Sequence, residues 1–175
     1  MAIITVWLSI ILYPYFYLPI KIKDETLSNA ISKNRNFTKV LSLGLFISGA
    51  LSAVFSNYLI SRFSLLITMP TIILYISMSF VTILAAFFNP SKYKKIHLSI
   101  ATYYFWISPL MMLTFGATLA HTPEKIAFIA SYFCFLLYII GVTAIMFWTK
   151  KVKNTLLEIW AFFILLIWVL IMTFI

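Results

Sequence analysis

The stretch NFTKVLSLGLFISGALSAVFSNYLIS (residues 36–61) decides the fold of this chain. Lys39 is its one charged residue, and the stretch is long enough to cross the ~30 Å hydrocarbon core of a bilayer as an α-helix. Small residues recur in it at intervals of four: Gly44, Ser48, Ser52 and Ser56. This spacing places them on one helix face, widened by Gly49 and Ala53. Because small residues let a neighbouring backbone approach closely in lipid, we predict that this helix packs at the centre of a bundle.

The composition indicates a membrane protein. The chain has 175 residues, of which 63% are hydrophobic and 10% charged, whereas a soluble domain has about 25% charged residues. Its long apolar runs do not alternate polar and apolar residues as barrel strands do. We therefore predict an all-α polytopic membrane protein, one domain over residues 1–175 with six transmembrane helices in one bundle. The predicted helices span about residues 2–20, 37–60, 65–88, 96–120, 126–148 and 155–175.

Polar residues and prolines mark the limits of these helices. The segment 21–35 is the longest polar stretch, and it is typical of a short amphipathic helix at the membrane interface. Pro90 ends the third helix, since the residue before a proline avoids the helical conformation. Thr122 and Pro123 start the fifth helix as its cap and first residue. Pro109 predicts a kink in the middle of the fourth helix.

The basic residues predict the orientation. The net charge is +9, and 11 of the 13 Lys and Arg residues fall in the segments 21–39, 89–95 and 149–154. The remaining two, Arg62 and Lys125, lie in the turns on the opposite side. The positive-inside rule therefore places the three basic segments in the cytoplasm and both termini outside.

The same charges predict the partners. Because the basic segments flank membrane spans, we expect membrane lipids with anionic headgroups as partners, and we expect no nucleic acid. The small-residue face of the second helix also predicts association with a second copy or another membrane protein. Cys134 has no second cysteine with which to form an internal disulfide. No stretch has the pattern of a removable signal peptide.

Ionisable groups near the membrane are the candidate functional residues, because their burial in lipid is costly. His97 and Glu158 are predicted to lie on the same side of the membrane and are the candidate catalytic acid–base pair. The candidate ligand-binding residues are Ser28, Ser32, Arg35, His97 and Glu158. Structural roles are the alternative: Glu158 in a capping box with Thr155, and His97 as an interfacial histidine.

The sequence predicts no metal and no cofactor. His97 and His121 lie at opposite ends of the fourth predicted helix, so they do not converge on one zinc ion or one haem. The chain contains no phosphate-binding glycine loop, no metalloprotease motif and no nucleophile elbow. It also has no acidic residue near the middle of a span, which a proton-coupled pump would need.

Three parts of the chain resemble an uncharacterised family of six-helix membrane proteins, the domain of unknown function 998. They are residues 27–32 and 36–53, the segment FFNP (87–90) followed by His97 and Pro109, and Leu157-Glu158 followed by Trp168. The chain is also distantly similar to DRAM-related membrane proteins. The resemblance implies six spans in a compact bundle and no established reaction. The polar positions that it carries over are Ser32, His97 and Glu158.

Three functions remain open from the sequence. The first is a non-enzymatic module that binds a lipid or another hydrophobic ligand, or that serves as a subunit of a membrane assembly. The second is an enzyme acting on lipid headgroups at the cytoplasmic face through His97 and Glu158. The third is a small transporter component, which needs a polar cavity in the middle of the membrane. The scarcity of reactive side chains favours the first.

Overall fold

The computed structural model describes residues 35–63, 69–88, 92–120, 122–149 and 155–175. Within these residues the prediction of an all-helical chain is confirmed. Each of the five helices is long and apolar enough to cross a membrane. They are α1 (Arg35–Arg62), α2 (Met69–Phe87), α3 (Lys94–Leu119), α4 (Lys125–Thr149) and α5 (Thr155–Phe174).

The five helices follow the predicted spans closely, and each end differs by no more than four residues. The largest difference is at α2, which starts at Met69 rather than at residue 65. Pro70 then falls in the first turn, where its missing N–H group is tolerated. The predicted helix at residues 2–20 and the amphipathic segment at 21–34 lie outside the described residues, so the sixth span stays a prediction.

Consecutive helices run antiparallel. In the α1–α2 pair, Phe46 contacts Phe87 with ring centroids 6.1 Å apart, and Phe55 contacts Tyr75 at 6.0 Å. Residue numbers thus rise along α1 as they fall along α2. Since the chain alternates in direction, the start of α1 and the turn between α2 and α3 lie at the same end of the bundle.

Trp168 lies at the centre of the core. Its side chain has no exposed surface, and its ring packs edge-on against Phe115 at 5.4 Å and beside Tyr75 at 6.4 Å. Its indole Nε1 donates a hydrogen bond of 3.0 Å to the Ser131 hydroxyl. One side chain of α5 therefore contacts α2, α3 and α4.

The first helix joins this core through its own aromatic residues. Phe63, just after α1, meets Phe115 of α3 edge-on at 5.4 Å and is 1% exposed. Phe55 contacts Tyr75 of α2. Aromatic pairs of this kind each contribute about 0.5–1.5 kcal/mol beyond their buried area. The cluster Phe55, Tyr75, Trp168, Phe115 and Phe63 thus links α1 to α2, α3 and α5.

The backbones of α1 and α2 approach closely at Gly49. A Cβ atom there would lie 2.5 Å from the Ile83 side chain and 3.0 Å from the Ser79 carbonyl oxygen, so a larger residue would push the helices apart. The buried face of α1 includes a series of residues spaced alternately by three and four: Leu41, Leu45, Ser48, Ser52, Phe55 and Leu59. Thr38, Gly49 and Ser56 are buried beside them. This average spacing of 3.5 is typical of helices packed side by side over their length. Gly44 is half-buried.

Pro109 lies inside α3 without ending it. A proline has no N–H group, so the carbonyl of Phe105, four residues earlier, loses its helical partner. The Tyr138 hydroxyl of α4 donates a 2.7 Å hydrogen bond to this carbonyl. In lipid every backbone polar group needs an internal partner, and here the neighbouring helix supplies it.

The outer surface of the bundle is apolar. On α4 large hydrophobic side chains point outward along the helix: Ile126, Ile129, Phe133, Leu136, Ile140 and Phe147. An apolar surface of this extent is stable against lipid and not against water. The bundle therefore has the surface of an integral membrane protein.

We predict that Tyr138→Phe lowers the free energy of unfolding by about 1–3 kcal/mol, because it leaves the Phe105 carbonyl unpaired. The loss should shrink in a Pro109→Ala background, where the restored amide pairs with that carbonyl. Thermal unfolding in detergent, followed by circular dichroism, measures this double-mutant cycle. Tyr132→Phe is the control, since the Tyr132 hydroxyl makes no hydrogen bond with the described residues. Equal losses in both backgrounds would show that the Tyr138 hydroxyl does not replace the amide donor that Pro109 lacks.

Candidate functional site

Four exposed lysines mark one end of the bundle, at the start of α1 and around the start of α3. They are Lys39, Lys92, Lys94 and Lys95, and we call them the basic end. Over the described ranges none of the four forms an ion pair, and the Lys92 ammonium lies 5.4 Å from the Tyr93 ring centroid. Arg35, a predicted ligand-binding residue, begins α1 at this same end.

At the opposite end a basic residue is paired with an acidic one. Arg62 at the end of α1 donates from Nη1 to the Glu124 carboxylate at 3.3 Å and from Nη2 to the main-chain oxygen of Ile175 at 3.2 Å. Both partners of the ion pair are partly exposed, so it contributes roughly 0–1 kcal/mol. The positive charge left without an acidic neighbour is therefore concentrated at the basic end.

His97 is buried and has a structural hydrogen bond. Its side chain is 8% exposed, and its Nδ1 atom lies 2.9 Å from the Phe88 carbonyl oxygen, to which it donates. The last carbonyls of a helix have no partner within the helix, and Phe88 follows the final residue of α2. His97 therefore caps the end of α2 and joins it to α3.

Glu158 lies in the first turn of α5 and is partly buried. A carboxylate in this position interacts favourably with the positive end of the helix dipole. Thr155, the first residue of α5, is fully buried. Glu158 takes part in an interaction of its own, and its pairing with His97 as a catalytic acid–base pair stays a prediction.

The other predicted site residues divide into two groups. Ser28 and Ser32 lie outside the described residues. Ser48, Ser52 and Ser56 are buried inside the bundle. In the single chain these three serines are thus covered, whereas Gly44 is half-buried and Ala53 is exposed, and the predicted contact of this face with a partner stays a prediction.

Two small cavities lie on either side of Tyr75. One is lined by Ser56 and Phe115 among others, the second by Ser52 and Phe162 among others, and each has a volume of about 10 Å³. A volume of this size holds about one water molecule. Sequence analysis did not single out Tyr75, because its position between the cavities depends on how α2 packs against α1 and α5.

The described residues contain no group of three His, Cys, Asp or Glu side chains able to hold a metal ion. Cys134 is buried with a free thiol in the middle of α4.

Comparisons of the chain with family models, curated proteins and solved structures found no match. The resemblance to the domain of unknown function 998 therefore stays a prediction.

The cap formed by His97 leads to a prediction. His97→Ala should lower the free energy of unfolding by about 1–3 kcal/mol, because the partly buried Phe88 carbonyl loses its donor. His97→Asn should retain most of the stability, since the Asn side-chain amide can donate from nearly the same position as Nδ1. Thermal unfolding in detergent measures both.

Lys95→Ala, at an exposed position two residues away, is the control and should change the free energy of unfolding by no more than about 0.5 kcal/mol. If His97→Ala behaves like Lys95→Ala, the cap at Phe88 does not stabilise the fold.

Proposed function

We propose that this protein is a non-enzymatic integral membrane protein that binds anionic phospholipid headgroups at its basic end. The observation that carries the proposal is the group of four exposed lysines, none of them in an ion pair within the described residues. Each Lys or Arg close to an anionic membrane surface adds about 1 kcal/mol of attraction. Lipid phosphates are the anions that surround such an end in a bilayer.

Aromatic residues at the same end support this proposal. Tyr93 is 39% exposed and contacts Phe88 edge-on at 5.6 Å. Trp148, near the end of α4, is 63% exposed. Tyrosine and tryptophan concentrate at the boundary between hydrocarbon and headgroups. Their position at the same end as the lysines supports a headgroup depth for the lysines.

The proposal includes an orientation. The positive-inside rule places the basic end in the cytoplasm, together with the basic segment at residues 149–154. Arg62 and Lys125 then lie on the outer side, where Glu124 balances part of their charge. The cytoplasmic leaflet is the more anionic one in cells, so charge and lipid composition favour the same orientation.

The two alternative functions have less support. An enzyme using His97 and Glu158 needs both groups directed at one substrate, and the His97 Nδ1 atom is hydrogen-bonded to Phe88. A transporter component needs a solute-sized polar cavity, and the two cavities beside Tyr75 each hold about one water molecule.

The lipid proposal makes a quantitative prediction. In bilayers the wild-type protein should bind phosphatidylglycerol at least several-fold more strongly than phosphatidylcholine. Replacing Lys39, Lys92, Lys94 and Lys95 with Gln should remove most of this preference. Quenching of tryptophan fluorescence by brominated forms of the two lipids measures the relative binding constant, and Trp148 reports from the basic end.

Lys125→Gln, an exposed lysine at the opposite end, is the matched control and should leave the preference nearly unchanged. The wild-type preference should also fall with added salt, because exposed charges are screened. An equal preference in the wild type and the four-lysine variant would refute the proposed lipid site.

The orientation has its own test. In a Cys134→Ala background, Lys39→Cys and Lys94→Cys should react with a membrane-impermeant thiol reagent only after the cells are opened. Lys125→Cys should react in intact cells. Labelling of Lys39→Cys and Lys94→Cys from opposite sides would contradict the antiparallel arrangement as well as the orientation.

A further inference from the structure

The hydroxyl group of Ser48 differs from most of those in the bundle. Serine and threonine side chains in these helices usually donate to a carbonyl one turn earlier, as Ser79 does to Tyr75 at 3.1 Å and Thr82 does to Met78 at 2.8 Å. Ser48 has no exposed surface, and its Oγ atom has no hydrogen-bond partner among the residues that the structure describes. Its hydroxyl is thus buried and makes no hydrogen bond to the described residues.

A buried hydroxyl without a hydrogen bond needs a partner. Its transfer from water into an apolar interior is unfavourable unless a hydrogen bond replaces those lost, and the middle of a membrane span is such an interior. Since Ser48 is fully covered, no lipid headgroup and no second protein can reach it. The partner must be as small as a water molecule.

The surroundings of Ser48 supply further hydrogen-bonding groups. Ser52 lies one turn along the same face of α1 and is close to the Tyr75 hydroxyl, and both line one of the cavities of about 10 Å³. Across the interface, the contact of Gly49 with Ser79 and Ile83 sets the register. This register brings the buried hydroxyls of α2 to the same level as the two serines.

The hydroxyls of Ser79 and Thr82 already donate within α2. A hydroxyl oxygen has two lone pairs, so each remains able to accept a further hydrogen bond. Buried water in proteins typically makes about three hydrogen bonds to polar groups that otherwise lack partners. The α1–α2 interface offers these groups on both helices.

We propose that Ser48 binds a single water molecule inside the α1–α2 interface, and that this water bridges α1 to the buried hydroxyls of α2. The site is independent of the lipid-binding proposal, since it lies in the middle of α1 and away from the basic end. The contact between these two helices then has a hydrated polar centre in addition to the close backbone approach at Gly49.

The test compares two serines of the same face. Ser48→Ala removes a hydroxyl that holds the water, and it should lower the Tm in detergent by roughly 2–4 °C, which corresponds to about 1 kcal/mol in a chain of this size. Ser56→Ala is the matched control, because the Ser56 hydroxyl donates to the Ala53 carbonyl of its own helix, which keeps its helical N–H partner when the hydroxyl is removed. It should leave the Tm nearly unchanged.

A high-resolution structure of the wild-type protein in a lipid nanodisc provides the second measurement. We expect density for one water about 2.7–3.2 Å from the Ser48 Oγ atom. If no water is bound, the Ser48 hydroxyl is a buried unpaired group, and Ser48→Ala would raise the Tm or leave it unchanged. Either that result or the absence of water density in the wild type overturns the proposal.

Discussion

The packing of Trp168 is the interaction on which the arrangement of these helices depends. Its indole contacts Tyr75 and Phe115 and donates to Ser131, so α5 is joined to α2, α3 and α4 at one point. Between helices in lipid there is no hydrophobic driving force, and association relies on close packing and on hydrogen bonds. A large aromatic ring with one N–H group provides both, and Ser131 is the partner that the buried N–H requires.

The polar groups of the bundle fall into two classes with different roles. Inside it, hydroxyls and one imidazole complete the hydrogen bonding of the backbone, as His97 does at Phe88. At its ends, charged groups face the headgroup regions, balanced around Arg62 and Glu124 and unbalanced at the basic end. The interior therefore contributes stability, and the asymmetric charge at the ends is the feature that connects the structure to the proposed lipid contact.

The positions of the helices could be read from the sequence, because a membrane requires long apolar runs and polar turns. The packing of the helices against one another could not be read from the sequence. The four-residue spacing predicted the buried serines. The buried residues of α1 also follow an alternating three- and four-residue spacing, and the backbone of α1 approaches that of α2 closely at Gly49. The partner of His97 could not be found from the sequence, since Phe88 lies at the end of the preceding helix and the contact depends on how the two helices pack. The pairing of His97 with Glu158 as an acid–base pair stays a prediction.

The bond from Tyr138 to the Phe105 carbonyl has a consequence for how the chain enters the bilayer. A helix containing Pro109 that left the translocon alone would carry one unpaired carbonyl into hydrocarbon, which is unfavourable. Among the described residues, the missing donor comes from the following helix. Biogenesis should thus retain α3 beside the translocon until α4 has been synthesised, and release the two together as a hairpin.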